Sequence, residues 1–329
     1  MVPAMANASH SQGASVVLLG GSTGDWPCLS VEERIDRLKA WTSALDAMAI
    51  PSASGARSRP MQLLFHVDHT DIHDARALAE AAGTHGADAI LSIAPGVVYR
   101  PPSGIEGAKQ VATQLGYIAA GAPSLPLWYY HFPSLYIVDV DLPAMVSYAL
   151  TGGPPPQDGI SAPGPPLAPT LHGIKYIDTN IDDVQRSLRI ASRAQSSAQS
   201  RAQSREHTDS APTLLSAGNF SVYIKNPLAV ACLPVGCNGA PVQTLGAREL
   251  VELGKAWDRG DLEAALDHQF RLLQLADVYA QYGALPLGRA AYKEAYGVNL
   301  GPLRVPQYDL AGEQLADGLA ALRKIGFLQ

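Results

Sequence analysis

Cysteine, charge and basic clusters are all sparse in this chain of 329 residues. Its three cysteines, Cys28, Cys232 and Cys237, are an odd number without metal-ligand spacing. They predict free thiols in a reducing compartment rather than a disulfide framework. Charged residues make up only 16% of the chain, and its net charge is −6. Apart from a few arginines between residues 186 and 205 there is no basic block, so we expect neither a nucleic acid nor an anionic membrane as partner.

Signatures of membranes and cofactors are missing as well. No apolar run reaches the length of a membrane-spanning helix, and residues 1–14 lack the charged and apolar regions of a signal peptide. No G-x-G-x-x-G motif follows a predicted strand, which argues against a dinucleotide site. We therefore expect a cytoplasmic protein that uses no cofactor.

What remains is a regular alternation of short apolar runs and helical segments. Predicted strands lie at residues 15–20, 61–67, 88–94, 125–130, 171–176, 213–217 and around 235–242. Predicted helices lie at residues 31–48, 72–85, 105–120 and 139–150, from residue 182, and from residue 246 onward with a break at 283–288. Strands that alternate with helices of this length imply parallel βαβ units. The pattern predicts an α/β protein with a C-terminal helical extension, and a chain of this size is common for a TIM (β/α)8 barrel.

The predicted organisation has three parts and two insertions. Residues 1–14 form a tail without clear structure, residues 15–245 form the barrel, and residues 246–329 form helices packed on it. The proline-rich residues 151–170 predict an irregular surface loop. Residues 187–212 form an imperfect Ala, Gln, Ser and Arg repeat that predicts a mobile, protruding insertion, with a docking or phosphorylation segment as the alternative.

One βα unit is missing from this pattern. The barrel needs eight strands, whereas the sequence offers seven, and residues 1–14 are too short for a further strand and helix. A barrel without its first unit would expose two sheet edges. We expect either a truncated chain or a partial cap made by the N-terminal residues.

Lys175 is the first candidate for chemistry. Residues 173–179 read Gly-Ile-Lys-Tyr-Ile-Asp-Thr, an apolar run that opens into a helix near Asp182. Burial favours the neutral amine of a lysine, which condenses with ketones. The alternative is a lysine at a strand end with its ammonium group in water.

Two further motifs end predicted strands. Residues 20–25 read Gly-Gly-Ser-Thr-Gly-Asp, where Ser22 and Thr23 would offer hydroxyl and amide donors to a carboxylate. The alternative is an ordinary turn. Residues 129–133 read Tyr-Tyr-His-Phe-Pro, and neighbouring tyrosines on a strand point to opposite faces. Only one of them can therefore face the barrel centre, as a proton shuttle or as core packing.

Together these motifs resemble the class I aldolases of the dihydrodipicolinate synthase and N-acetylneuraminate lyase family, and within it the sialic acid lyases. The likeness returns at residues 297–304, Gly-Val-Asn-Leu-Gly-Pro-Leu-Arg. It implies that Lys175 forms an imine with pyruvate and that Tyr130 moves the proton. It also implies that the substrate is bound by Ser22, Thr23, Gly218 and Tyr99. The substrates would be pyruvate and an aldehyde sugar, nominally N-acetylmannosamine, and the assembly a homotetramer.

The sequence departs from the sialic acid lyase pattern at the positions that would bind the sugar. The resembling lyases have serine or threonine where this chain has Ile177, and G-x-D-E where residues 218–221 read Gly-Asn-Phe-Ser. An arginine typical of the dihydrodipicolinate synthases is also absent after residues 130–133. This leaves two alternatives open: another 2-keto acid aldolase, or an impaired barrel that acts as a binding or regulatory protein.

A metal site is a weaker possibility. His66, Asp68 and His69 follow one another closely at the end of the second predicted strand. Histidines at i and i+3 on a strand point to opposite sides, so the pair does not converge on one ion. We expect no metal.

Overall fold

The computed structural model describes residues 1–51, 57–94, 101–136, 138–154, 164–202, 220–225, 228–241 and 245–329. These residues form two compact units. The first contains residues 1–63, 225–231 and 240–329, and the second contains residues 64–224 and 232–239.

The secondary structure alternates strands and helices and then becomes helical. The strands are β1 (Val16–Leu19), β2 (Ile50–Pro51), β3 (Arg57–Ser58), β4 (Gln62–His66), β5 (Ala89–Ile93), β6 (Leu127–His131), β7 (Leu171–Tyr176) and β8 (Ser221–Ile224). The helices are α1 (Val2–Ser11), α2 (Val31–Met48), α3 (Ile72–His85), α4 (Ile105–Ala119), α5 (Pro133–Tyr136), α6 (Leu142–Thr151), α7 (Ile181–Ala202), α8 (Ala229–Cys232), α9 (Ala247–Asp258), α10 (Leu262–Tyr282), α11 (Ala284–Tyr296) and α12 (Gly312–Lys324).

The second unit is a parallel sheet covered by helices. Its strands follow the order β4-β5-β6-β7-β8, and each neighbouring pair is parallel. The crossover helices pack in chain order, α3 on α4, α4 on α6 and α6 on α7. All residues of β5 and β6 are buried, as expected for strands covered on both faces. This is the α/β arrangement of half a (β/α)8 barrel.

The first unit contains β1, α2 and the C-terminal helices. Ser30 and Glu33 form the predicted capping box, with the Glu33 N–H donating to Ser30 Oγ and the Ser30 N–H donating to Glu33 Oε2. The N–H of Gln62, at the start of β4, donates to the carbonyl of Ser15, next to β1. Leu275, Leu287 and Leu322 meet in the core of α10, α11 and α12. The predicted helical C-terminal segment is therefore confirmed.

Two predicted boundaries of secondary structure are wrong. Residues 1–14 are not a tail without structure, because α1 spans Val2–Ser11; Ala6 is buried, and the hydroxyl of Tyr292 donates to Met5 O. The C-terminal helices break at Gly283 alone rather than over 283–288, because the positive φ there suits only glycine and α11 resumes at Ala284.

The repeat segment and the last two predicted strands also differ from expectation. As far as Ala202 the repeat continues α7 instead of forming an irregular insertion, since Ala, Gln and Arg are good helix formers; residues 203–212 of the predicted insertion lie outside the described residues. The strand predicted at 213–217 lies outside the described residues, and β8 begins at Ser221. Of the strand expected around 235–242, the described part shows a single parallel bridge, between Gly239 and Tyr223. No described helix has the length and apolar character needed to cross a bilayer.

Candidate active site

Lys175 and Tyr130 lie side by side where β7 and β6 end. The register pairs Tyr130 with Lys175, so the two side chains share one face of the sheet. Lys175 Nζ lies 3.6 Å from the centroid of the Tyr130 ring. Tyr130 is 2% exposed and Lys175 is 8% exposed. The resemblance to the family selected the tyrosine that shares a face with the lysine.

Burial changes the charge of Lys175. The ring face of Tyr130 favours the ammonium form, but loss of hydration disfavours it. The second effect dominates and lowers the pKa of Lys175 from 10.5 to about 7. A substantial fraction of the side chain is therefore a neutral amine at neutral pH, the form that attacks a carbonyl carbon.

The sheet below Lys175 is closed by aromatic packing. Trp128, two residues before Tyr130, is fully buried, and its ring covers Gly173, which lies two residues before Lys175. A Cβ atom on Gly173 would meet the indole at 2.7 Å. The ring of Tyr223, which pairs with Lys175 in register, lies 4.6 Å from that of Trp128. This apolar floor maintains the low-dielectric surroundings that hold the lysine pKa down.

His66 is a neighbour of this pair that sequence reasoning did not select. It ends β4 and is fully buried, with its ring edge-on to Tyr130 at 6.4 Å between centroids. Its position at the end of a buried parallel strand was the available signal. Asp68 instead accepts a hydrogen bond from Ser92, and His69 lies 3.3 Å from Asp74. The three residues of the metal alternative therefore have separate partners, and no metal-ligating cluster occurs among the described residues.

The side chains on the opposite face of β6 and β7 pack against each other and against the start of α7. His131 stacks on Tyr176 with 5.1 Å between ring centroids, and the Tyr176 hydroxyl donates to the carbonyl of Asn180 just before α7. Burial lowers the pKa of His131 to about 4, although Asp178, 3.8 Å from its Nε2, acts in the other direction. Burial also raises the pKa of Tyr129. Burial therefore keeps both His131 and Tyr129 in their neutral forms, and we assign them to the core.

Ser22 and Thr23 belong to the first unit and form the turn after β1. With Gly24 they make one turn of 3-10 helix, in which Ser22 is half-buried and Thr23 is exposed. Asp25 follows in the left-handed conformation with φ of 57°. Tyr99 and Gly218 lie outside the described residues.

Ile177 and Phe220, the two residues that depart from the sialic acid lyase pattern, are bound through their backbone N–H groups. Ile177 is half-buried, and its N–H donates to His131 O at 2.8 Å. Phe220 is 5% exposed, and its N–H donates to the side-chain carbonyl of Gln195. Neither side chain can hydrogen-bond a sugar hydroxyl.

Comparisons with known proteins find relatives that match nearly the whole chain. No protein-family model matches the chain. The mouse N-acetylneuraminate lyase is 25% identical over 320 residues, which cover 96% of this chain and 83% of the relative. The pig N-acetylneuraminate lyase is 24% identical over 318 residues, with the same two coverages.

Solved structures show the same fold. The Proteus mirabilis N-acetylneuraminate lyase superimposes with a TM-score of 0.74 at 22% identity, over 99% of this chain and 92% of that one. The Bacillus anthracis dihydrodipicolinate synthase DapA-2 superimposes with a TM-score of 0.73 at 18% identity, over 98% and 90%. The fold is that of the TIM-barrel aldolases, and the relatives indicate an aldolase-type lyase. The chain is thus similar to members of the dihydrodipicolinate synthase and N-acetylneuraminate lyase family.

Proposed function

We propose that this chain is a Schiff-base aldolase that cleaves or forms an adduct of pyruvate, with N-acetylneuraminate as substrate and N-acetylmannosamine as the aldehyde product. The proposal depends above all on one observation. Lys175 Nζ is buried at the end of a parallel strand, has a pKa lowered to about 7, and contacts Tyr130. Such an amine is prepared to attack a ketone near neutral pH.

The cleavage begins with Lys175 as the nucleophile. Its amine adds to the C2 ketone and water leaves, which gives a protonated imine. The proton of the substrate hydroxyl is then removed, the adjacent carbon–carbon bond breaks, and its electron pair moves toward the imine nitrogen. The aldehyde leaves first. Protonation of the resulting enamine and hydrolysis of the imine release pyruvate and restore the amine.

We assign the hydroxyl proton to Tyr130 and the pyruvate carboxylate to the Ser22–Thr23 turn. Lys175 Nζ lies over the Tyr130 ring, and we expect the phenol to come close to the hydroxyl of a substrate bound to the amine. A positively charged imine there favours the phenolate. Ser22 and Thr23 offer two hydroxyls to the carboxylate, while Tyr99 and Gly218 would contact the rest of the substrate. We expect the enzyme to work in the cytoplasm as a homotetramer, as is common in the family.

Two residues bear on which aldehyde the enzyme accepts. Ile177 and Phe220 present no polar atom where a sugar tail would need partners. A buried hydroxyl without a partner loses binding energy. These two positions favour a second candidate, a 2-keto acid aldolase that uses the same pyruvate chemistry with a less hydroxylated aldehyde.

Borohydride trapping with pyruvate tests the reaction class. We expect a reduced adduct on the Lys175 peptide of the wild type and of Lys255→Ala, a matched control on an exposed lysine of α9, and none on Lys175→Ala. Tyr130→Phe retains the ring and loses the hydroxyl. It should trap pyruvate normally but cleave substrate more slowly by a factor of about 100 or more.

The negative outcomes separate the alternatives. A cooperatively folded wild type without any adduct would exclude the aldolase and leave a binding or regulatory barrel. An adduct without cleavage of N-acetylneuraminate would support the second candidate, and a panel of aldehydes would then identify the partner.

A further inference from the structure

Asp25, directly after the Ser22–Thr23 turn, is a buried carboxylate in an unusual backbone conformation. It is 2% exposed and is the one described residue other than glycine with a positive φ. Left-handed backbone is unfavourable for a residue with a side chain, although aspartate tolerates it better than most. A buried charge in such a position requires partners from elsewhere in the structure.

Two residues from the C-terminal part of the first unit supply these partners. Arg289, on α11, donates from Nη1 to Asp25 Oδ2 at 2.7 Å. Gln307 donates from Nε2 to Asp25 Oδ1 at 2.8 Å. Both carboxylate oxygens are therefore bound, one by a cation and one by an amide.

Two further hydrogen bonds, from Arg289 and Arg37, hold the backbone around Asp25. Arg289 donates from Nη2 to the carbonyl of Leu300 at 2.7 Å, so its guanidinium joins Asp25 to the segment after α11. Arg37, on α2, donates to the carbonyl of Gly24 at 3.1 Å. Gly24, the last residue of the turn, and Asp25, which follows it, are thus both bound by groups from elsewhere in the first unit.

We propose that Asp25, Arg289 and Gln307 are positioning residues, which hold the Ser22–Thr23 turn in the geometry that binds a substrate carboxylate. The proposal rests on the proposed function, since it takes the turn to be the carboxylate site. Arg289 is 18% exposed and committed to Asp25 and Leu300, so it acts through the turn rather than on the substrate. Residues 297–304, where the resemblance to the family returns, lie next to this network.

Exchange of the pyruvate methyl protons for deuterium provides the test. The exchange requires the imine and its enamine at Lys175 but no aldehyde, and NMR gives its maximal rate and its half-saturating pyruvate concentration. For Arg289→Ala we expect the half-saturating concentration to rise about tenfold, since a charge-assisted hydrogen bond is lost, with the maximal rate within about twofold of wild type by the logic of uniform binding. For Arg289→Lys we expect a half-saturating concentration between those of wild type and Arg289→Ala.

Two comparisons separate positioning from general loosening of the fold. Acetone has the ketone and methyl group but no carboxylate, so its exchange rate should be the same in Arg289→Ala and wild type. Arg304→Ala is the matched control, because Arg304 lies in the same segment and pairs with Glu33 rather than Asp25. It should leave the half-saturating concentration unchanged.

A milder variant covers the case in which Arg289→Ala does not fold. Gln307 is half-buried in a loop, and Gln307→Ala should raise the half-saturating concentration about threefold through loss of one neutral hydrogen bond. Unchanged concentrations in Gln307→Ala and Arg289→Lys would overturn the positioning role. Unchanged half-saturating concentrations in Ser22→Ala and Thr23→Ala would also overturn it, because they would show that the turn does not bind the carboxylate. Absence of exchange in the wild type would instead reject the proposed function itself.

Discussion

The α-carbon of Gly173 lies directly against the indole ring of Trp128 on the neighbouring strand. A Cβ atom at residue 173 would come within 2.8 Å of three ring atoms. Glycine at this position therefore allows the largest side chain of β6 to fill the floor beneath Lys175. The contact links the packing of the sheet to the environment of the lysine.

Gly173→Ala should destabilise the protein by about 1–3 kcal/mol, the usual cost of overpacking a core. Urea denaturation measures this difference. Gly254→Ala is the matched control, because Gly254 lies within α9 with no atom near the added methyl group. It should be neutral or stabilising by up to about 1 kcal/mol, the difference in helix propensity. Equal stabilities of the two variants would contradict the packing argument.

Imine formation should depend on the neutral form of Lys175. Since the pKa is lowered to about 7, the initial rate of pyruvate trapping should rise about tenfold between pH 6 and pH 8 and then level off. Trapping rates across this range, measured at saturating pyruvate, provide the check. A rise that continues toward pH 10 would show that the lysine has an ordinary pKa and is hydrated.

The same pKa predicts how stability varies with pH. Between about pH 7 and 10.5 the unfolded chain binds a proton that the folded chain lacks, so the free energy of unfolding should increase with pH in this window. Lys175→Met removes the titrating group. At pH 7 it should be more stable than wild type by on the order of 4 kcal/mol, since one pKa unit corresponds to about 1.4 kcal/mol.

The difference between Lys175→Met and wild type should shrink as the pH rises toward 10.5. Denaturation series at pH 7, 8 and 9 would show this trend. Lys255→Met, which changes a lysine with a 58% exposed side chain, should have no comparable trend. A constant difference for Lys175→Met would indicate that burial does not control the charge of Lys175.

Ile177→Thr should improve activity on a hydroxylated aldehyde. The hydroxyl would supply a partner for a sugar oxygen, which we expect to raise kcat/KM for N-acetylneuraminate about tenfold. The backbone bond from residue 177 to His131 O does not involve the side chain and should persist. Deuterium exchange of pyruvate, which needs no sugar, should be unchanged. Loss of both activities would mean that Ile177 stabilises the pyruvate half of the site instead.

Part of the fold and of the candidate site could be predicted from local sequence. The parallel strands, the helices between them and the Ser30–Glu33 capping box depend on residues a few positions apart. The helix α1 differs from expectation, because part of its support comes from α2 and from Tyr292, which is 287 residues away from Met5. Likewise, α7 continues into the repeat segment, because helix propensity there outweighs the lack of an apolar face.

The strand and helix periods, the turn after β1 and the place of Lys175 at the end of a buried strand follow from the local sequence, because they depend on neighbouring residues. The lowered pKa of Lys175, its contact with the Tyr130 ring and the presence of His66 beside them arise only when the chain is packed. The same holds for the bond between Asp25 and Arg289, 264 residues away. Burial, strand register and long-range charge pairing depend on the whole packed chain, and so no local pattern specifies them.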